Sequence, residues 1–220
     1  MTEKGYFMVL EGLDGSGTTT QSIRLAEYLF KRDKKNVIVL TREPTTLSPY
    51  GIELRRRLKG DLLPGENVIH DPAYWADLFI NDRRWHLEHI VIPAVLRGEQ
   101  VISDRHKLST IAYQSAQGAD MEELIRRHED FYRPDITLLL DLSAETAMSR
   151  VENTRDVTEY FERLDLQRRV QQNYLLAEQK LRSTENIVVL EGTPPLDEVT
   201  LAIQHHIDLL YTKIKQPHAK

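Results

Sequence analysis

Residues 6–20 read YFMVLEGLDGSGTTT. They combine an apolar run, a glycine-rich turn and a series of hydroxyl residues. The apolar run at 6–10 is too short to span a membrane and enters the turn directly, so it predicts a buried β-strand. From Thr18 to Arg32, apolar residues recur at helical spacing. The stretch therefore predicts a strand, a tight turn and a helix in direct succession.

Four further short segments are rich in Val, Ile or Leu: residues 37–40, 100–103, 136–140 and 187–190. Longer helix-patterned stretches lie between them. Short apolar strands without alternation, separated by helices, predict a parallel sheet that is covered on both faces. Right-handed crossovers place the carboxyl ends of such strands along one edge, so polar residues that follow the strands should collect there.

The sequence between the strands also predicts where several helices begin and end. Asp71 and Pro72 are typical of a helix start, and the pattern continues towards Gly98 with an interruption expected at Pro93. Further helices are expected over residues 144–153, 162–183 and 196–214. The polar stretch at 154–161 is typical of a flap, and the tail at 215–220 of a frayed end. No repeat or linker is apparent, so we expect one domain over residues 1–220.

The amino-acid composition argues against several classes of function. The chain has 34 acidic and 29 basic residues and a formal net charge of −5. This balance argues against a nucleic-acid or anionic-membrane partner. There is no cysteine, which excludes disulfides and thiolate chemistry and is compatible with a reducing compartment. No targeting segment is apparent, so we expect a cytoplasmic protein.

The glycine-rich turn matches most of a phosphate-binding loop. Such a loop has two glycines separated by four residues, followed by Lys and then Ser or Thr. Gly12 and Gly17 have this spacing, and Thr19 occupies the position whose hydroxyl binds Mg²⁺. The lysine position is Thr18, so backbone N–H groups, magnesium and arginines would have to meet the phosphate charge. The alternative is a glycine-rich turn that binds no nucleotide.

Motifs along the chain then resemble the thymidylate kinase family, over residues 7 to about 207. They occur in the family's order: LEGLDGSG at 10–17, TREP at 41–44, LF at 78–79, DR at 82–83, IPA at 92–94, SDR at 103–105, AYQ at 112–114, PD at 134–135 and LDL at 140–142. The resemblance implies a P-loop nucleotide-kinase fold of the α/β class. This fold has a five-stranded parallel sheet, helices on both faces and a short lid, here about residues 150–162.

The same resemblance implies a function and its ligands. It implies transfer of the ATP γ-phosphoryl group to dTMP, which gives dTDP and ADP, with Mg²⁺ and in a homodimer. Mg²⁺ would be bound by Thr19 and Asp104. The residues implied for ATP are Gly12, Leu13, Asp14, Gly15, Ser16, Gly17, Thr18, Thr19 and Arg150. Those implied for catalysis are Arg42, Arg105, Arg155 and Asp104.

For dTMP the implied residues are Asp14, Arg42, Phe79, Arg83, Arg105, Thr110 and Tyr113. In this resemblance Asp14 holds the 3′-hydroxyl, Phe79 stacks on thymine and Tyr113 lies under the sugar 2′ position. Asp14 also fits a turn-stabilising role beside Gly15, and an aromatic such as Phe79 at helical spacing also fits a core residue.

Besides Thr18, two further positions depart from the usual pattern. His106 stands where the family usually has an aromatic residue, and Tyr160 where it usually has an arginine. Arg155 is then the lid arginine, with a solvated surface arginine as the alternative. Two rival functions stay open: a kinase for another nucleoside monophosphate or a deoxynucleoside, and a nucleotide-binding protein that Thr18 has left catalytically impaired.

Overall fold

The computed structural model describes residues 4–152 and 164–215. In these residues the sheet has five strands in the order β2-β3-β1-β4-β5, and every neighbouring pair is parallel. The strands are β1 (Phe7–Gly12), β2 (Ile38–Arg42), β3 (Gln100–Asp104), β4 (Ile136–Asp141) and β5 (Ile187–Glu191). Each begins within one residue of its predicted start, and all five end one or two residues later than predicted.

Helices connect the strands. They are α1 (Thr18–Arg32), α2 (Pro49–Leu58), α3 (Pro72–His86), α4 (Ile92–Leu96), α5 (Lys107–Ala116), α6 (Met121–Arg126), α7 (Ala144–Glu152), α8 (Leu164–Leu181) and α9 (Leu196–Lys215). None of the helices in the described part of the chain is long and apolar enough to cross a membrane.

Both faces of the sheet are covered, because β1 sends alternate side chains to opposite sides. Met8 and Leu10 pack in one apolar cluster with residues of α1 and α9. Phe7 and Val9 pack in another cluster, with residues of α4 and the turn before it. All four side chains are fully buried. The predicted fold class, a parallel α/β sheet with helices on both faces, is confirmed.

The expected interruption of the long helical pattern lies before Pro93. The Asp71 side chain caps α3 by accepting from the Ala73 N–H at 2.9 Å, as the sequence predicts. A π-helical turn at Leu87–Val91 then separates α3 from α4. A proline lacks the N–H of a regular helix and its ring crowds the carbonyl four residues earlier, which the wider π-helical turn relieves.

Two sequence-based expectations fall largely outside the described residues. Residues 150–152 of the expected lid form the end of α7, and Arg155 with the rest of it lies in the stretch that is not described. In the expected tail, residue 215 ends α9, and residues 216–220 also lie outside the described ranges.

Candidate active site

The carboxyl ends of the strands form the site edge that the sequence predicts. β3 lies between β2 and β1, and its last residue, Asp104, is in register with Arg42 of β2 and Leu10 of β1. The residues that follow these three strand positions are therefore neighbours in space. The glycine-rich loop leaves β1 at this edge and enters α1.

Backbone geometry suits the loop to an anion. Gly15 has φ +91°, and a Cβ at this position would lie 2.2 Å from the Ala147 carbonyl oxygen. Gly17, also at φ +91°, is the N-cap residue of α1, and no side chain caps this helix start. The first N–H groups of α1 are thus left for another acceptor, and the helix dipole favours a negative one.

The lysine position of the loop carries no charge. Thr18 is buried, at 5% exposure. Arginines surround the loop instead. Arg42 is the last residue of β2, and Arg105 directly follows the neighbouring strand β3. Arg150 of α7 donates to the Gly192 carbonyl at 3.1 Å. Arg150 also lines a crevice with Gly15, Ser16 and Gly17.

Thr19 and Asp104 come together as a metal site requires. The Thr19 hydroxyl donates to Asp104 Oδ2 at 2.5 Å. Asp104 Oδ1 is buried and has no partner among the described residues. A buried carboxylate oxygen without a donor is costly, and Mg²⁺ prefers oxygen ligands of this kind. These two residues therefore fit the magnesium site that the sequence implies.

Arg42 lies beside the same two residues. Its side chain is exposed and lines a crevice together with Thr19 and Asp104. Within residues 4–152 and 164–215 it has no hydrogen-bond or ion-pair partner. An exposed guanidinium at the end of β2 is thus available to an incoming phosphate.

Arg105 is held against the loop by several contacts. Its backbone has φ 77°, in the left-handed region that residues other than glycine rarely adopt. Its Nη1 donates to the Gly12 carbonyl at 2.7 Å and to the Tyr174 hydroxyl at 3.2 Å, and Nη2 forms an ion pair with Asp14. Burial acts to lower the pKa of Arg105, but the Asp14 carboxylate, together with Tyr174, Tyr113 and Asp104, holds this pKa well above its usual value.

A pocket opens next to this ion pair. Its walls are Asp14, Glu43, Pro44, Leu58, Phe79, Arg83, Arg105, His106, Ser109, Thr110 and Tyr113. Six of the seven residues implied for dTMP are in this set. The seventh, Arg42, lines the neighbouring crevice. Phe79 is half-buried and belongs to none of the three core clusters, so its ring is available to a ligand.

Arg83 is fixed at the wall of the pocket, at 1% exposure. Nε donates to Glu43 Oε2 at 2.8 Å, Nη2 to the Thr110 hydroxyl at 2.9 Å, and Nη1 to His128 Nε2 at 2.6 Å. His128 Nδ1 lies 2.6 Å from the Leu124 carbonyl, which can only accept, so the ring is protonated on Nδ1 and accepts on Nε2. These contacts use most of the N–H donors of Arg83 and fix the orientation of its guanidinium.

A second buried carboxylate, Glu11 at the end of β1, organises the base of the site. It accepts from the Ser109 hydroxyl at 2.5 Å and from the His106 N–H at 2.8 Å. Burial raises the pKa of Glu11 to about 7. Tyr174 of α8 donates to the Gly12 carbonyl at 3.0 Å, so the helix that follows the undescribed stretch is tied to the phosphate loop.

Sequence reasoning missed several of these residues. Glu11 and Glu43 lie within the quoted motifs, so their position signalled a role that we did not assign. Gln114 lies in the AYQ motif, is fully buried, and has no partner for either amide atom among the described residues. His128 and Tyr174 carry no sequence signal, because an isolated His or Tyr on a helix is ordinary in a core.

Comparison with known proteins agrees with this geometry. Residues 10–203 match the family model described as thymidylate kinase. A probable thymidylate kinase of Pyrococcus horikoshii is 41% identical over 78% of this chain and 82% of the relative. One from Pyrococcus abyssi is 34% identical over 92% of this chain and 97% of the relative. A thymidylate kinase of Xanthomonas campestris is 36% identical over 75% of this chain and 68% of the relative. The chain belongs to the thymidylate kinase family.

Proposed function

We propose that the protein transfers the γ-phosphoryl group of ATP to dTMP and releases dTDP and ADP. The observation that carries this proposal is the position of the acceptor pocket. The Asp14–Arg105 ion pair joins the phosphate loop to the pocket wall, so a monophosphate in the pocket would face a nucleotide on the loop. Direct transfer requires this proximity of donor and acceptor.

In this proposal the acceptor lies between an apolar wall and polar groups. Phe79 stacks on the base, while Arg83 and Thr110 contact the base edge. Tyr113 lies under the sugar: its hydroxyl accepts from the Asp14 N–H at 3.4 Å, and the Arg105 guanidinium lies 5.9 Å from its ring centre. Asp14 holds the 3′-hydroxyl, and Arg42 with Arg105 binds the acceptor phosphate.

Catalysis in this account is positioning and charge neutralisation. The acceptor is already an anion, so no side chain needs to form a covalent intermediate. The N–H groups of the loop and α1 hold the donor phosphates, and Arg42 and Arg105 neutralise charge as it spreads over the moving group. Thr19 and Asp104 would hold Mg²⁺, which supplies further positive charge when it is bound. A closing lid with Arg155 would exclude water.

Thr18 at the lysine position is the argument for one rival function, a nucleotide-binding protein without catalysis. This function would be favoured if no other cation near the loop replaced the charge of the missing lysine. Here Arg42 is free of partners in the described ranges and Arg105 is held beside the loop. A kinase for another monophosphate or a deoxynucleoside would need a different set of residues in the pocket. Phe79, Thr110 and Tyr113 all line this one, which supports dTMP as the acceptor.

A panel of acceptors separates these possibilities. ADP release with Mg-ATP would be measured for dTMP, dUMP, CMP, AMP and thymidine. We expect dTMP to have the highest kcat/KM. A higher kcat/KM for any other acceptor would identify a different kinase. Nucleotide binding without turnover of any acceptor would favour the impaired binding protein.

We further propose that the chain is a single kinase domain that forms a cytoplasmic homodimer. Exposed apolar side chains near α2 support an interface, with exposed fractions of 65% for Leu47, 54% for Ile52 and 40% for Tyr50. Apolar exposure of this kind is typical of a surface that another chain covers. Sedimentation equilibrium of the parent and of Ile52→Asp tests the dimer, which the charge should weaken.

A further inference from the structure

His106 follows β3 and lies between two buried carboxylates, Glu11 near the end of β1 and Glu43 directly after β2, the two strands that flank β3. Its backbone N–H donates to Glu11 Oε1 at 2.8 Å, on the β1 side. Its ring Nδ1 lies 3.0 Å from Glu43 Oε1, on the β2 side. A carboxylate oxygen can only accept from the ring, so Nδ1 is the donor. The left-handed backbone of Arg105 precedes His106 and sets the direction in which the chain leaves β3.

Glu43 connects His106 to Arg83, which lines the pocket. Its Oε1 also accepts from His86 Nδ1 at 2.9 Å, and its Oε2 accepts from Arg83 Nε at 2.8 Å. The Arg83–Glu43 ion pair is almost fully buried, with side-chain exposures of 1% and 3%. A buried pair of this kind keeps its geometry only when its other hydrogen bonds are satisfied. His106 supplies one of them.

We propose that His106 is a positioning residue for the acceptor pocket: it holds Glu43, and Glu43 holds Arg83 in the orientation that receives the acceptor base. The inference rests on the proposed function. It concerns this chain in particular, because an aromatic residue without a donor at the Nδ1 position could not make the same contact with Glu43.

The two ring nitrogens allow a sharp test. Nδ1 is bound to Glu43, whereas Nε2 is buried and has no partner among the described residues. The amide of Asn can place a donor near the position of Nδ1, and the longer Gln can place one near Nε2. His106→Asn and His106→Gln therefore separate a role through Glu43 from a direct contact of Nε2 with the ligand. His106→Phe removes both nitrogens.

The experiment measures dTMP affinity by calorimetry, together with KM for dTMP and kcat. A hydrogen bond to a charged group contributes enough that its loss in His106→Phe should weaken dTMP binding by about tenfold to a hundredfold. We expect kcat to change by less than about threefold, because the reacting phosphates are not touched. His106→Asn should restore most of the affinity and His106→Gln little of it.

Several results would overturn the inference. Parent-like affinity in His106→Phe would do so, as would rescue by Gln but not by Asn, which would indicate direct contact through Nε2. A loss of kcat that matches the loss of affinity would indicate general disruption of the site. The matched control is His89→Asn, which should behave as the parent. His89 is exposed, its Nδ1 bonds the Trp85 carbonyl, and its ring stacks on the Trp85 ring. Failure of the parent itself to bind or turn over dTMP would instead refute the proposed function.

Discussion

Arg105 forms an ion pair with Asp14, which places a cation from the end of β3 directly against the phosphate loop. The loop itself has Thr18 where a lysine is usual, and Thr18 is buried and uncharged. The Gly12 carbonyl, the Ser109 hydroxyl and the Tyr174 hydroxyl all contact Arg105 Nη1. A cation held by so many contacts is preorganised, which is the property that stabilises a developing charge most effectively.

We predict that Arg105→Ala lowers kcat for dTMP strongly. Removal of one preorganised donor to a developing charge commonly lowers kcat by about 10²–10³. Steady-state kinetics with saturating Mg-ATP measures the effect, and thermal unfolding verifies that the variant is folded. Arg126→Ala, which removes an exposed arginine that pairs with Glu123, is the control and should stay within about twofold. A loss of less than about tenfold in Arg105→Ala would remove this residue from the catalytic role.

Arg155→Ala tests the second source of charge. This residue lies outside the described ranges, so the prediction follows from the sequence alone. If a lid arginine replaces the loop lysine, its removal lowers kcat and leaves dTMP affinity nearly unchanged, as expected for a contact made chiefly in the transition state. Values of kcat and affinity within about twofold of the parent would indicate a solvated surface residue. Arg42, free of partners in the described ranges, would then be tested in the same way.

Sugar selectivity depends on Tyr113 in this account. The ribose analogue of dTMP should be a much poorer substrate, and Tyr113→Ala should narrow that difference by opening the space at the 2′ position. The Tyr113 hydroxyl also contacts the Asp14 N–H, so Ala alone would confound ring and hydroxyl. Tyr113→Phe keeps the ring and should keep the selectivity. If the ratio of kcat/KM for dTMP to kcat/KM for its ribose analogue is the same in Tyr113→Ala as in the parent, the Tyr113 ring does not determine sugar selectivity.

The buried Glu11 carboxyl predicts a pH dependence of stability. Burial raises its pKa from 4.5 to about 7, so between these values the folded chain holds the proton more tightly than the unfolded chain. The contribution of Glu11 to stability therefore falls as pH rises through this window. At about 1.4 kcal/mol for each pKa unit, the change is on the order of 3 kcal/mol.

Glu11→Gln should remove this dependence. Urea unfolding of variant and parent across the window gives the difference, in which the other titrating groups cancel. The variant should gain stability relative to the parent as pH rises. Glu122→Gln, at an exposed carboxylate paired with Lys180, is the control and should keep the free energy of unfolding within about 0.5 kcal/mol of the parent. A stability difference between Glu11→Gln and the parent that stays constant across the window would contradict the raised pKa of Glu11.

Local patterns were enough to predict the strands and the edge of the site. Each strand is a short apolar run, and parallel pairing places the strand ends together whatever the side chains are. Phe79, Thr110 and Tyr113 meet in one pocket because motifs after different strands converge at that edge. Thr19 and Asp104 meet for the same reason.

Contacts between distant helices could not be predicted in this way. His128 bonds Arg83 across 45 positions, and Tyr174 bonds Gly12 across 162. Neither residue belongs to a motif, and each would be ordinary in a core. The fixed orientation of Arg83 depends on such long-range partners, and the network around Glu43 appears only when the three strand ends are placed side by side.

The central claim is that this chain, with threonine at the lysine position, phosphorylates dTMP. The most direct test is to follow the purified protein with dTMP and Mg-ATP by liquid chromatography with ultraviolet detection, which separates dTDP from ADP by their different bases. The account predicts that both form in equal amounts and that neither forms without dTMP. ADP that appears at the same rate with and without dTMP, with no dTDP signal, would contradict it.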